Sequence, residues 1–288
     1  MRIIFFGTPE FVIPVLKSLA SNFELVGVVT TPDVIQGRKK LLTPSPVKQY
    51  TTQHLSIPAL TFQQFSNETM QQLHDLNPDL LVVAAYGKII PQSILNVPKN
   101  GALNIHPSLL PKYRGPSPIQ TALLNGDKTT GVTVIKMDEK MDHGDIVSQW
   151  QVGINTQDTF ASLHTSLFED AAKKIPSIIN EFITKKINPT PQDEASATFC
   201  KMITRESGYF DSENPPSPEK VDNMIRAYYP WPSAWTRLQM ANGKWQMAKF
   251  YPEKIIQMEG KKPMTMKEFL NGYPELKQQL EKLLGMQH

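Results

Sequence analysis

The segment Asp79-Leu80-Leu81-Val82-Val83-Ala84-Ala85 constrains the fold more than any other stretch of the chain. A strand with one wet face alternates apolar and polar residues. An unbroken apolar run of this length suits a strand buried on both faces, as in an open sheet covered by helices. Arg2-Ile3-Ile4-Phe5-Phe6-Gly7 has the same character and predicts a first strand ending in a glycine turn. Residues 24–30 and 103–105 read as further strands, and 133–137 with 146–152 as an antiparallel pair. Between them, 11–19, 46–54, 67–76 and 118–124 carry helical spacing, with Pro9 near a first turn and Asn67 as an N-cap. Residues 158–186 are helical, with Pro176 expected to interrupt or kink the helix. Residues 31–46 are polar, basic and proline-rich, and read as a loop. Strands alternating with helices predict an α/β fold: an open, mostly parallel sheet with helices on both faces. Ligands of such sheets bind beyond the C-terminal strand ends. Gly7, Tyr86-Gly87 and His106 all fall there.

The 288 residues suffice for two domains. The boundaries expected are 1–187 for the first domain, 188–199 for a linker rich in proline and polar residues, and 200–288 for a smaller β-rich domain. In the last, 217–227 reads as a helix, 235–238 and 245–250 as strands around an Asn242-Gly243 turn, and 264–284 as helix broken at Gly272 and Pro274. Tyr228, Tyr229, Trp231, Trp235 and Trp245 could stack on bases, but a small core is the expected use of the tryptophans. Cys200 is the only cysteine, so no intrachain disulfide can form, which fits a reducing, cytoplasmic setting. No apolar run is long enough to span a bilayer, and the N-terminus lacks a signal-peptide pattern, so no membrane association is expected. Net charge is +3, with 13 Lys+Arg against 10 Asp+Glu from Cys200 onward and 17 against 17 before it. That excess alone is too small to mark a polyanion-binding surface.

The chemistry concentrates in Asn104-Ile105-His106-Pro107-Ser108-Leu109-Leu110-Pro111 and, downstream, Asp142-His143-Gly144-Asp145. In extended chain, residues i and i+2 share a face, so Asn104 and His106 can project together from a strand end. A carboxylate on a glycine-containing turn completes the set. Amide, imidazole and carboxylate suit acyl transfer to an amine: the imidazole moves protons, the carboxylate orients it, and the amide donates to an oxyanion. Competing readings are weaker. Gly7-Thr8-Pro9-Glu10 is not a dinucleotide-binding glycine pattern. Ser108 lacks the surroundings of a nucleophile elbow. A metal site would need His106, Asp142, His143 and Asp145 to converge, and no paired-ligand spacing is present. Gly37-Arg38-Lys39-Lys40, with Lys48 beyond, is either a solvated loop or a phosphate-backbone contact.

Asn104 through Pro111, Arg114-Gly115-Pro116-Ser117-Pro118-Ile119 and Met141-Asp142-His143-Gly144-Asp145 together resemble the core of the folate-dependent formyltransferases. Three further stretches resemble the members that formylate methionyl-tRNA. Thr31-Pro32-Asp33, Gly37-Arg38-Lys39-Lys40 and Thr43-Pro44-Ser45-Pro46-Val47-Lys48 are similar to their tRNA-contacting loop. Residues 225–236, with Tyr229-Pro230-Trp231-Pro232, are similar to the start of their C-terminal domain, and 259–264 with 269–272 to its end. The resemblance covers nearly the whole chain. It implies a Rossmann-like catalytic domain and a small C-terminal barrel that binds tRNA. It also implies formyl transfer from 10-formyltetrahydrofolate to the methionine amine of initiator tRNA, without a metal and with no obligate protein partner. Asn104, His106 and Asp142 would be the catalytic set. Ser108, Leu109, Leu110, Pro111, Tyr86, Gly87 and Ile89 would border the folate, and Arg38, Lys39 and Lys40 would meet tRNA. This chain departs from the family where 245–250 runs almost directly into 255–258 and the closing Glu259-Gly260-Lys261-Lys262. The barrel is therefore expected to be abridged or open. The alternatives are a sugar-nucleotide N-formyltransferase, which would not need the basic loop, and a tRNA-binding protein with weak catalysis.

Overall fold

The computed structural model describes residues 1–36 and 40–285. Two compact units are present: Met1–Arg114 with Gly131–Val152 and Thr165–Phe199, and Gly115–Thr130 with Gly153–His164 and Cys200–His288. Strands run in the order β1 (Arg2–Gly7), β2 (Glu24–Thr30), β3 (Val34–Gln36), β4 (Leu41–Thr43), β5 (Ala59–Thr61), β6 (Leu80–Ala84), β7 (Ala102–His106), β8 (Thr129–Lys136) and β9 (Ile146–Gly153). The helices among them are α1 (Ile13–Asn22), α2 (Pro46–His54), α3 (Asn67–Asp75), α4 (Gln92–Leu95), α5 (Pro118–Leu124) and α6 (Phe160–Ile183).

The main sheet has seven strands in the order β5-β2-β1-β6-β7-β8-β9. The first five are parallel to one another, and β8 is antiparallel to β7. Strand β9 returns along β8, where the Lys136 N–H donates to the Asp145 carbonyl at 2.8 Å. Ile3, Ile4, Phe5 and Phe6 are fully buried, as the unbroken apolar run requires. Ile4 and Phe6 join Val29, Leu81 and Val83 in one cluster, so the other two face the opposite layer. The chain leaves β1 toward β2 and β5, then resumes on the other side at β6. In such sheets ligands usually bind beyond the strand ends at this kind of reversal. Thr8 Oγ1 ties the two sides of the reversal together by donating to the Tyr86 carbonyl at 2.7 Å.

Several local expectations are corrected. The 31–46 stretch is not all loop: β3 and β4 pair as an antiparallel ribbon, with Val34 opposite Thr43 and Ile35 opposite Leu42. Strand β5 pairs in parallel with β2 at the sheet edge. The N-cap of α3 is Ser66, not Asn67, in a reciprocal capping box with Thr69. Pro176 does not interrupt α6. A proline has no N–H for the carbonyl four residues earlier. That carbonyl, on Ala172, instead accepts from Ser18 Oγ at 2.5 Å.

The second unit carries an antiparallel sheet of β10 (Ala234–Gln239), β11 (Trp245–Tyr251), β12 (Ile255–Met258) and β13 (Met264–Thr265) in that order. Helices α7 (Pro218–Ala227), α8 (Met266–Gly272) and α9 (Lys277–Leu284) belong to this unit, as does α5. Ala248 and Phe250 point inward with Ala234, Leu238, Ile256, Phe269 and Leu280. Trp245 has the opposite parity and is 43% exposed, and Trp231, between two prolines, is 58% exposed. These two tryptophans are surface residues rather than core. Four strands are present in this sheet among the described residues, which matches the abridged barrel. Among those residues, no helix is long and apolar enough to cross a membrane.

Candidate active site

Strand β7 sets Asn104 opposite Ile135 and His106 opposite Thr133 of β8. The two side chains therefore leave one face of the strand, and His106 is only 4% exposed. Asp142 lies on the connection from β8 to β9, in the left-handed region at φ 52°. Asp tolerates this region better than most residues, but the surroundings must still hold it there. Asp142 Oδ1 collects both partners: Asn104 Nδ2 donates to it at 3.4 Å, and His106 Nδ1 lies 3.5 Å away.

The other imidazole nitrogen, Nε2, lies 3.0 Å from the Tyr113 carbonyl. A carbonyl only accepts, so Nε2 carries a hydrogen. The nitrogen left to change its protonation is Nδ1, which faces the carboxylate.

The turn after β7 is pinned by its own polar groups. Ser108 Oγ donates to the Lys112 carbonyl at 2.6 Å, and Thr133 Oγ1 donates to the Ser108 carbonyl at 2.6 Å. Gln149 Nε2 donates to the Leu110 carbonyl at 2.8 Å. The Ser108 hydroxyl is thus engaged in the turn, away from any role as a nucleophile. The Asp142 connection is tight too: a Cβ on Gly144 would fall 1.9 Å from the Lys136 carbonyl oxygen. Gly144→Ala must open this hairpin, and is expected to destabilise the protein by about 1–3 kcal/mol, as overpacked sites do. A denaturant midpoint unchanged from the parent protein would show that the loop relaxes freely.

Strand β6 pairs with β7, Val83 opposite Asn104, so the loop after β6 emerges beside His106. Tyr86 is 2% exposed and packs edge-on against Phe6. Burial pushes its phenol up to about 12, and its hydroxyl has no partner among the described residues. Its side chain is a prop of the core. Gly87 has φ 85° with open space where a Cβ would stand, and Ile89 is 78% exposed. Leu110 is buried, while Leu109 and Pro111 are half-buried. Lys40 is exposed at the start of β4, and Arg38 and Lys39 lie outside the described residues. Lys48 is paired with Asp33 at 2.7 Å. His143 turns to Asp138 at 2.5 Å rather than joining His106. Tyr113 and Gln192, which no motif marks, both take part: the Tyr113 carbonyl meets His106, and Gln192 Nε2 donates to the Asp142 carbonyl at 2.9 Å.

A family profile described as Formyl transferase matches residues 1–179. A methionyl-tRNA formyltransferase of Halalkalibacterium halodurans is 41% identical over 268 residues, covering 92% of this chain and 82% of that one. One of Enterococcus faecalis is 36% identical over 301 residues, covering 94% and 96%. The chain belongs to the methionyl-tRNA formyltransferase family. Solved structures agree on the fold. A phosphoribosylglycinamide formyltransferase of Bacillus halodurans superposes with TM-score 0.53 at 26% identity, over 65% of this chain and 97% of that one. A sugar N-formyltransferase of Shewanella reaches TM-score 0.64 at 15% identity, over 88% and 98%, a likeness of fold alone. As a member of the methionyl-tRNA formyltransferase family, the protein is a formyl-transferring enzyme.

Proposed function

We propose that the protein transfers the formyl group of 10-formyltetrahydrofolate to the α-amino group of methionine on initiator tRNA, with Asn104, His106 and Asp142 at the centre of the reaction. The observation that carries this reading is the meeting of Asn104 Nδ2 and His106 Nδ1 at one oxygen of Asp142 while Nε2 is held by a carbonyl. The formyl donor supplies an electrophilic acyl carbon and a nitrogen leaving group. His106 Nδ1 takes the proton that the attacking amine sheds as the new C–N bond forms. It returns that proton to the donor nitrogen as the old C–N bond breaks. Asp142 offsets the positive charge that His106 carries between these steps. Asn104 Nδ2 donates to the oxygen that gains negative charge. The donor's ring system needs an apolar wall and backbone groups within reach. Exposed Ile89, open Gly87 and the 108–111 turn offer both beside His106.

The β3–β4 ribbon suits the tRNA role. Val34, Ile35, Leu41 and Leu42 are between 49% and 69% exposed, an apolar arm, and Lys40 is exposed next to β4. Arg38 and Lys39 precede it in the sequence. In this reading 1–187 is the catalytic domain, 188–199 connects it to 200–288, and the last binds tRNA. The work is that of cytoplasmic translation initiation.

The deciding assay offers one formyl donor and two acceptors, methionyl-tRNA and an amino-sugar nucleotide. Formylation of the first alone is expected. Faster transfer to the sugar would move the protein to the other acceptor class. A second expectation concerns the ribbon. Replacing Arg38, Lys39 and Lys40 with Ala should weaken tRNA binding and flatten its dependence on salt, by about 0.7–0.9 in slope for each phosphate no longer neutralised. Binding of the folate should not change. An unaltered slope for the triple variant would mean that these cations are merely solvated.

A further inference from the structure

We infer that Gln192, held by Arg114, is a positioning residue for the formyl transfer: its side-chain amide fixes the Asp142 loop against His106. This rests on the reading of Asn104, His106 and Asp142 given above. The Gln192 Nε2 group donates to two carbonyls of that loop, Asp142 at 2.9 Å and Gly144 at 2.8 Å. Its Oε1 accepts from Arg114 Nε at 3.1 Å and Arg114 Nη2 at 2.8 Å. A guanidinium can only donate, so the amide cannot be turned round without setting donor against donor and acceptor against acceptor. Gln192 is 9% exposed and Arg114 3%, so water does not replace either partner. Arg114 in turn pairs with Glu194 at 2.5 Å and holds that carboxyl below the usual carboxylate range.

The arrangement ties both sides of the imidazole to one couple. Arg114 directly follows Tyr113, whose carbonyl meets His106 Nε2. Gln192 grips the loop whose carboxylate meets His106 Nδ1. Asp142 sits at φ 52°, a conformation that needs outside support, and Gln192 holds both the Asp142 carbonyl and the carbonyl two residues on. The residue comes from 188–199, which its sequence marks only as a connector, and the role it fills is that of a brace.

Gln192→Glu separates positioning from packing. The carboxylate keeps the size of the side chain and its acceptor toward Arg114, but it cannot donate to the Asp142 and Gly144 carbonyls. Misplacement of a reacting group by about 1 Å costs on the order of 10²-fold, so kcat for methionyl-tRNA should fall about 10–100-fold. KM for both substrates should stay within about twofold, since neither substrate is touched. Gln192→Met, which also lacks donors, should behave alike, and circular dichroism and the melting temperature show which variants are folded at the assay temperature. The effect must pass through Asp142: in an Asp142→Ala background, Gln192→Glu should cost less than about twofold. A folded donor-less variant with wild-type kcat overturns the proposal, as does a full, additive loss in the Asp142→Ala background. If Asp142→Ala itself formylates normally, the reading of the catalytic set fails instead.

Discussion

His106→Ala is expected to lower the turnover of methionyl-tRNA formylation by about 10²–10⁴-fold, the scale of a lost general acid–base group. The imidazole is 4% exposed, its Nε2 is engaged with the Tyr113 carbonyl, and its Nδ1 faces Asp142. Folate binding should change little, because neither ring nitrogen has to be spent on the donor before reaction. Rapid-quench turnover, with folate affinity measured alongside by fluorescence, checks both halves. A purified His106→Ala protein that formylates at near-normal rate at neutral pH would remove the imidazole from the mechanism.

Asn104→Ala is expected to cost about 2.7–4 kcal/mol of transition-state stabilisation, as for other single oxyanion donors. The Nδ2 bond to Asp142 is long, at 3.4 Å, so it costs little to redirect that donor to an oxygen gaining charge. The loss should fall on kcat and on kcat/KM alike, which marks an interaction made in the transition state. If only KM rises, Asn104 is a contact of the bound substrate instead.

Much of the first unit is legible in its sequence because its central strands β1 and β6 have no wet face. Ile3 to Phe6 and Leu80 to Ala84 are buried on both sides, so continuous apolar character alone identifies them. The β3–β4 ribbon escapes this test for the opposite reason. Val34, Ile35, Leu41 and Leu42 are exposed, and their pattern is interrupted by a glycine and three cations. Strand β5 is only Ala59–Thr61 at a sheet edge, too short for periodicity to register. Pro176 misleads because the repair of its helix lies on Ser18, far away in sequence.

The site divides in the same way. Asn104 and His106 can be paired from their spacing, since strand geometry is periodic. The support for His106 is a backbone carbonyl, of Tyr113, and residue type says nothing about a carbonyl. Gln192 stands 50 positions from Asp142, in a stretch whose prolines and polar residues signal a connector. Only the closing of the β8–β9 hairpin against that stretch gives its amide a function.

The proposed function requires Asn104, His106 and Asp142 to act as one unit in the transfer step. Single-turnover formylation of methionyl-tRNA, with enzyme and formyl donor in excess, measures that step apart from tRNA release. It should be run on the parent protein, the three single alanine variants and the triple variant. Residues that serve one transition state lose their effects together. The triple variant should therefore be slower than the slowest single variant by no more than a few-fold, with residual transfer left from substrate positioning. Losses that multiply across the three sites, or single variants that keep the parent's transfer rate, would contradict this requirement.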